Sequence, residues 1–280
     1  MGLLNRNGAI VTSLLTAFAA ATCVAGQTAS AAPCPDAEIV FARGTTEAPG
    51  AGPVGDAFVS AVRARVAPKS VDVYAVDYPA TMAFSTAMQG IVDARTHILA
   101  TAAACPTTKL VLGGFSQGAA VMGFVTASVV PDGVRQTDVP APMPPEIADH
   151  VAAVALFGKP SARFMNVIKD PDVEVGPNYV AKSVELCVDD DLVCDPHGRS
   201  FSVHNTYVEA GMVDQAATFA AQRLQAAWAA DAAAAATGAE PGPAGVVDQD
   251  PAQHLAPSAP TAPGAVPLPG PTALTYSPTP

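Results

Sequence analysis

Two rhythms of hydrophobic and polar positions alternate along the middle of the chain. Short apolar or β-branched runs fall at Ala37-Glu-Ile-Val-Phe-Ala42, Val71–Val76, Lys109-Leu-Val-Leu-Gly113, Val151–Phe157 and Val184-Glu-Leu-Cys187, each of strand length. The third and fourth are apolar at nearly every position, as in strands covered on both faces of a parallel sheet. Between the runs the spacing turns helical, over Val54–Val66, Met82–Ala104 and Gln117–Thr126. In the second of these, Met88, Ile91, Val92, Ile98 and Leu99 share a face that Arg95 interrupts. A last helix carries Met212, Ala216, Phe219, Ala220 and Leu224 on one stripe. Such stripes are core faces rather than cofactor boxes. Strand–helix alternation predicts an α/β fold, with a central, mostly parallel five-stranded sheet, helices on both faces and right-handed crossovers. Ligands in such sheets bind beyond the C-terminal ends of the strands.

Both ends of the chain break this pattern. Arg6 is the only charge before Asp36, Ala9–Ala25 is apolar apart from Thr12, Ser13, Thr16 and Thr22, and Ala29-Ser30-Ala31 offers a small-residue cleavage pattern. Residues 1–31 therefore read as a secretory signal peptide, leaving no transmembrane segment in the mature chain. Thr22 precedes Cys23 where a lipidation signal expects a small Gly, Ala or Ser, so a lipoprotein is not expected. From Asp231 onward the last 50 residues hold 11 Pro, 13 Ala and no Lys or Arg. Such a segment cannot bury enough apolar surface to offset its chain entropy, so 231–280 is expected to be a solvated, disordered tail. A part in cell-wall association stays open for it. The folded unit is then residues 32–230.

Composition narrows the function classes. Of 280 residues half are hydrophobic and 14% charged, which suits a globular domain. With 14 Lys and Arg against 25 Asp and Glu the net charge is -11, and binding to a phosphate backbone, which needs clustered cations, is not expected. Once Cys23 leaves with the signal, Cys34, Cys105, Cys187 and Cys194 remain, an even number in an exported, oxidising setting. Four cysteines allow three pairings; Cys187 and Cys194 most naturally close their own short segment, which leaves Cys34 for Cys105. The C-x6-C spacing lacks the short ligand separation of a zinc site, so no metal is expected.

The chemistry centres on Gly114-Phe115-Ser116-Gln117-Gly118, a G-x-S-x-G between an expected strand and an expected helix. A sharp strand-to-helix turn exposes the serine above the sheet, and the flanking glycines let the backbone turn closely. A serine hydroxyl needs a base to remove its proton and a carboxylate to orient that base, in the chain order Ser, Asp, His. His97 sits in a helix, His150 before a core strand and His254 in the tail, leaving His197 and His204. The carboxylate comes from Asp189, Asp190 or Asp191, among which the residues alone do not choose. The bland reading of that acid run is a solvated turn or weak cation site. Only a neutral imidazole accepts the proton, so hydrolysis should rise with pH through the range where histidine titrates.

Three segments together resemble the cutinase family: Phe41-Ala42-Arg43-Gly44-Thr45-Thr46-Glu47, the G-x-S-x-G, and Cys187-x-x-x-Asp191-x-x-Cys194 with a histidine thirteen residues after the aspartate. Pro131–Pro145 and His204-Asn-Thr-Tyr207 resemble the cutinase-like proteins of mycobacteria and related actinobacteria. The likeness runs from about Cys34 to the last helix. It implies a small α/β-hydrolase-type three-layer sandwich and an exported serine esterase without metal or organic cofactor. Carried over by position, it makes Ser116 the nucleophile, His204 the base, Asp191 the orienting carboxylate, and the backbone N–H groups of Thr45 and Gln117 the oxyanion hole, with the Thr45 hydroxyl as a third donor. It implies the same disulfides, Cys34–Cys105 and Cys187–Cys194. The expected substrate is a short-to-medium-chain acyl ester or a lipid ester, met by a monomer at a lipid–water interface. The alternatives are an acetylxylan esterase, and a secreted antigen or binding protein with a decayed site.

Overall fold

The five runs form one sheet of parallel strands: β1 (Ala37–Ala42), β2 (Val71–Ala75), β3 (Lys109–Phe115), β4 (Val151–Phe157) and β5 (Ser183–Leu186), in the order β2-β1-β3-β4-β5. The structure is a computed structural model describing residues 33–238. The expected signal peptide, with Cys23, lies outside the described residues, as does the tail from residue 239. Helices α1 (Gly52–Val66), α2 (Ala87–Ala104), α3 (Gln117–Thr126) and α7 (Met212–Ala236) are the long ones; α4 (Ile147–His150), α5 (Ala162–Ile168) and α6 (Pro177–Val180) are short.

Side chains alternate across a strand with period two, and that alternation divides the core into two layers. Ile39, Phe41, Val111, Ala153, Ala155 and Phe157 face α1 and α7, while Val40, Ala42, Leu110, Leu112, Val154 and Leu156 face α2 and α3. Because both faces are covered, β4 is buried at all seven positions. The result is the three-layer sandwich that strand–helix alternation demands.

Two boundaries differ by more than two residues from those the sequence pattern predicts. The helix expected from Met82 starts at Ala87, behind a 3-10 turn at Phe84–Thr86. Its buried stripe is Gly90, Ala94, Ile98 and Ala102, whereas Val92 is 47% exposed. Small residues face inward there because α2 packs directly on α3 as well as on the sheet, and close approach outranks hydrophobicity. The last helix, α7, runs past residue 230, to Ala236. Alanine is the strongest helix former, so Ala232–Ala236 prolongs the helix although its residues are exposed. Asp231 pairs with Lys109 Nζ at 2.8 Å, and Trp228 Nε1 donates to the Asp36 carbonyl at 3.2 Å, so the C-terminal part of α7 is tied to the starts of β3 and β1.

From β1 the chain crosses to β2 on one side and then returns to β3 on the other. Neighbouring C-terminal ends therefore diverge between β1 and β3, which is where open α/β sheets leave a crevice. The loop after β1 carries Thr45, and the turn after β3 carries Ser116.

Candidate active site

Ser116 sits between the last residue of β3 and the first of α3, with φ 55° and ψ -118°. This left-handed backbone costs a non-glycine residue of order 1–3 kcal/mol, held in place by the Ser116 N–H donating to the Phe157 carbonyl at 2.8 Å. The glycines either side are required by contact: a Cβ on Gly118 would lie 1.9 Å from the Ala42 carbonyl oxygen, and one on Gly114 2.2 Å from that of Gly118. Thus α3 starts hard against β1 and β3, with its N-terminal dipole end at the serine.

The histidine and carboxylate come from the loop beyond β5. His204, in a 3-10 turn over Ser202–Asn205, donates from Nδ1 to Asp191 Oδ2 at 2.6 Å, and Asp191 is completely buried. Asp189, Asp190 and His197 are exposed; Asp190 accepts from the Arg199 N–H at 3.0 Å and only shapes the loop. Burial by itself raises the Asp191 carboxyl, but hydrogen bonds from His204, the Tyr207 hydroxyl (2.7 Å) and the Val193 N–H (2.8 Å) outweigh it and hold the group below its ordinary value. The Cys187–Cys194 disulfide brackets this aspartate, and Cys34–Cys105 ties the N-terminus to the end of α2. Cys187, Asp191 and Cys194 lie within ligand reach of one another, yet disulfide sulfurs carry no thiolate and the Asp191 oxygens are taken by hydrogen bonds, so the trio is not a metal-ligand set.

Ser116 and His204 line one crevice of about 530 Å³ together with Thr45, Gln117, Phe115 and Phe201. The His204 ring stacks on Phe115 at 4.9 Å, and its Nε2, buried, has no hydrogen-bond partner among the described residues. Met82 and Phe84 form another wall. Their loop is held by Gln117 Nε2 donating to the Thr81 carbonyl at 3.1 Å.

Three residues to which the sequence reading gave no role shape the site. Arg43 is 3% exposed, its guanidinium lies over the Tyr78 ring, and it donates hydrogen bonds to the carbonyls of Glu47 at 2.9 Å, Val76 and Tyr78. It thereby fixes the turn that presents Thr45. Glu47 accepts from the Gly44 N–H at 2.6 Å across the same turn, and burial pushes its carboxyl up. Tyr207 is wholly buried, and its hydroxyl is the second side-chain donor to Asp191. A lone charge directly after an apolar strand is the signal for Arg43; Tyr207 is marked only by its place in the His204-Asn-Thr-Tyr207 segment, which does not reveal a partner sixteen residues away. His97 lies elsewhere, stacked on Tyr74 and bonded to Glu38 at 3.0 Å.

A family model described as "Cutinase" matches residues 33–224. The chain belongs to the cutinase family. Among its curated relatives is "Probable carboxylesterase Culp5" of Mycobacterium tuberculosis, 58% identical over 167 residues that cover 60% of this chain and 95% of the relative. "Phospholipase Culp4" of the same organism is 46% identical over 218 residues, 76% of this chain and 92% of the relative. Among solved structures, a Trichoderma reesei cutinase in complex with a phosphonate inhibitor superposes with TM-score 0.51 at 27% identity, covering 69% of this chain and 78% of the other. An acetylxylan esterase superposes with TM-score 0.58 at 23% identity, covering 69% and 100%, a likeness of fold alone. Among the described residues, no helix of this cutinase-family chain is long and apolar enough to cross a membrane.

Proposed function

We propose that this cutinase-family protein hydrolyses carboxylic esters by two-step acyl transfer through Ser116, His204 and Asp191. Family membership and the relatives named carboxylesterase and phospholipase make it an ester hydrolase. The observation that carries the site assignment is the buried 2.6 Å His204–Asp191 contact, set in the crevice where the strained Ser116 turn emerges.

In the first step Ser116 Oγ attacks the ester carbonyl carbon while His204 Nε2 takes the hydroxyl proton. Asp191 holds the Nδ1–H tautomer and stabilises the imidazolium without being protonated itself. The carbonyl oxygen becomes an oxyanion received by the N–H groups of Thr45 and Gln117, the latter at the first position of α3, where helix N–H groups lack intrahelical partners. Collapse breaks the ester C–O bond, and His204 returns its proton to the departing alcohol. Water then attacks the acyl-enzyme with His204 again as base, releasing the acid and regenerating Ser116. Each oxyanion donor is worth about 2.7–4 kcal/mol in comparable hydrolases.

Short-to-medium acyl esters or lipid esters are the proposed substrates, in keeping with a phospholipase among the relatives and with Met82 and Phe201, exposed by 81% and 58%, on the crevice wall. Export behind residues 1–31 fits the two disulfides, which persist in oxidising compartments. The test is hydrolysis of p-nitrophenyl esters from acetate to palmitate by the mature protein and its Ser116→Ala variant. A loss of more than about 10⁴-fold in kcat is expected for a triad serine, with an unchanged circular dichroism spectrum. Retained hydrolysis in the variant overturns the assignment.

A further inference from the structure

A second hollow of about 260 Å³ lies beside the catalytic crevice, between α2, the C-terminal end of α3 and the Pro131–Pro142 loop. Its lining is almost wholly apolar, with Met88, Ile91, Phe124, Val134 and Val139 among the walls. Phe84 and Asp170 line both this hollow and the crevice, so the two spaces meet at that pair. The apolar wall is also continuous: Phe164 and Ile168 on the crevice side, Phe84 at the junction and Phe124 on the far side pack against one small cluster built on Ala120, Met165 and Val173. Asp170 is half-buried at this junction, and burial pushes its carboxyl up. The Pro131–Pro142 segment does not line the catalytic crevice; it roofs the hollow, pinned by Arg95 Nε donating to the Ala141 carbonyl at 2.9 Å. That bond gives a purpose to the one charge on the apolar face of α2.

Resting on the ester-hydrolase reading above, we propose that this chamber receives the distal part of the substrate's acyl chain, with Phe84 as the threshold between crevice and chamber. The occupant follows from the chemistry of the step. The leaving alcohol must lie by His204, which protonates it, and His204, Phe201, Val193 and Asn205 line the crevice but not the chamber. The chain running out through Phe84 and Asp170 is therefore the acyl chain. At roughly 30 Å³ for a water-sized group, the volume holds about eight methylenes. A chain that reaches past Phe84 gains affinity with each carbon buried, while acetate never reaches it.

The test measures kcat/KM on p-nitrophenyl esters from acetate to palmitate for the wild type, Val134→Trp and Val139→Trp, the two substitutions filling the chamber from its roof without touching the crevice. The wild type is expected to prefer chains long enough to pass Phe84 over acetate. Either tryptophan should lower kcat/KM about tenfold on those longer esters, chiefly through KM, and leave acetate hydrolysis unchanged, which also certifies folding. A wild-type optimum at acetate overturns the proposal, whatever the variants do. So does an equal change, or none, at every chain length. A parallel series of alkyl acetates places the chain: a loss that follows alcohol length instead overturns the acyl assignment. If wild type cleaves no ester, or Ser116→Ala cleaves them equally well, the ester-hydrolase reading itself has failed; Ser116-dependent hydrolysis with an unaltered chain-length profile sinks only the chamber.

Discussion

Asp191 is fully buried, and three hydrogen-bond donors outweigh the desolvation that would raise its carboxyl. Removing the Tyr207 hydroxyl by Tyr207→Phe leaves the ring packing against Phe115 and Phe157 but withdraws one hydrogen bond to a charged group, worth about 1.5–3 kcal/mol. A carboxyl with a depressed folded-state pKa stabilises the fold above its unfolded value, about pH 3.9, and that contribution fades as pH falls through the folded value. The variant is therefore expected to be less stable than wild type near neutrality, with the difference shrinking as pH falls below about 3.9. Urea unfolding across that range checks it. As a positioning residue, Tyr207 should also affect kcat, by about tenfold, more than KM. The glycines around Ser116 mark a tight strand-to-helix turn in the sequence itself, and the turn is there with φ 55°; nothing local distinguishes Asp191 from Asp189 and Asp190. Three adjacent acids look alike in a string of letters. Only the fold buries one and exposes the others.

Among the elements, the Cys187–Cys194 loop links stability to chemistry most directly. Its two ends are covalently joined, and between them the Val193 N–H binds the Asp191 carboxylate. In the chain-entropy model a loop this short contributes about 2–3 kcal/mol. The double variant Cys187→Ser/Cys194→Ser is expected to lose about that much stability in denaturant titration and to show a lower kcat with KM little changed. A variant with wild-type kcat would mean that Asp191 is held by its hydrogen bonds alone. The strands were legible at this scale because parallel, doubly covered strands must be apolar on both faces. The inward face of α2 was not, since its buried stripe of Gly90, Ala94 and Ala102 reflects the distance to a neighbouring helix, which the pattern of one segment does not record. The continuation of α7 to Ala236 was masked in the same way, as an alanine run serves equally for an exposed helix and a low-complexity linker.

For the whole molecule, the net charge of -11 governs the approach to any charged interface. Repulsion between like charges weakens over a Debye length of about 8 Å at physiological ionic strength. Hydrolysis of an ester carried in anionic phospholipid vesicles is expected to rise several-fold between about 10 mM and 150 mM salt, and hydrolysis of the same ester in zwitterionic vesicles to stay nearly constant. Paired rate measurements on the two vesicle types check this.

The sequence by itself determined the elements whose cause is local or periodic: five strands, the four long helices, the serine at a glycine-flanked turn and the short cysteine-closed loop; the short helices α4, α5 and α6 carry too few residues to show a period. Tertiary structure alone decided which aspartate is buried, that Tyr207 reaches Asp191, that Arg43 ties the Thr45 turn to the ends of Val76 and Tyr78, and that the proline-rich segment roofs an apolar hollow. The physical reason is range. Strand burial and turn strain are set by residues close in the chain, whereas a buried hydrogen bond or a chamber wall exists only once the sheet order β2-β1-β3-β4-β5 has brought distant loops to the same strand ends.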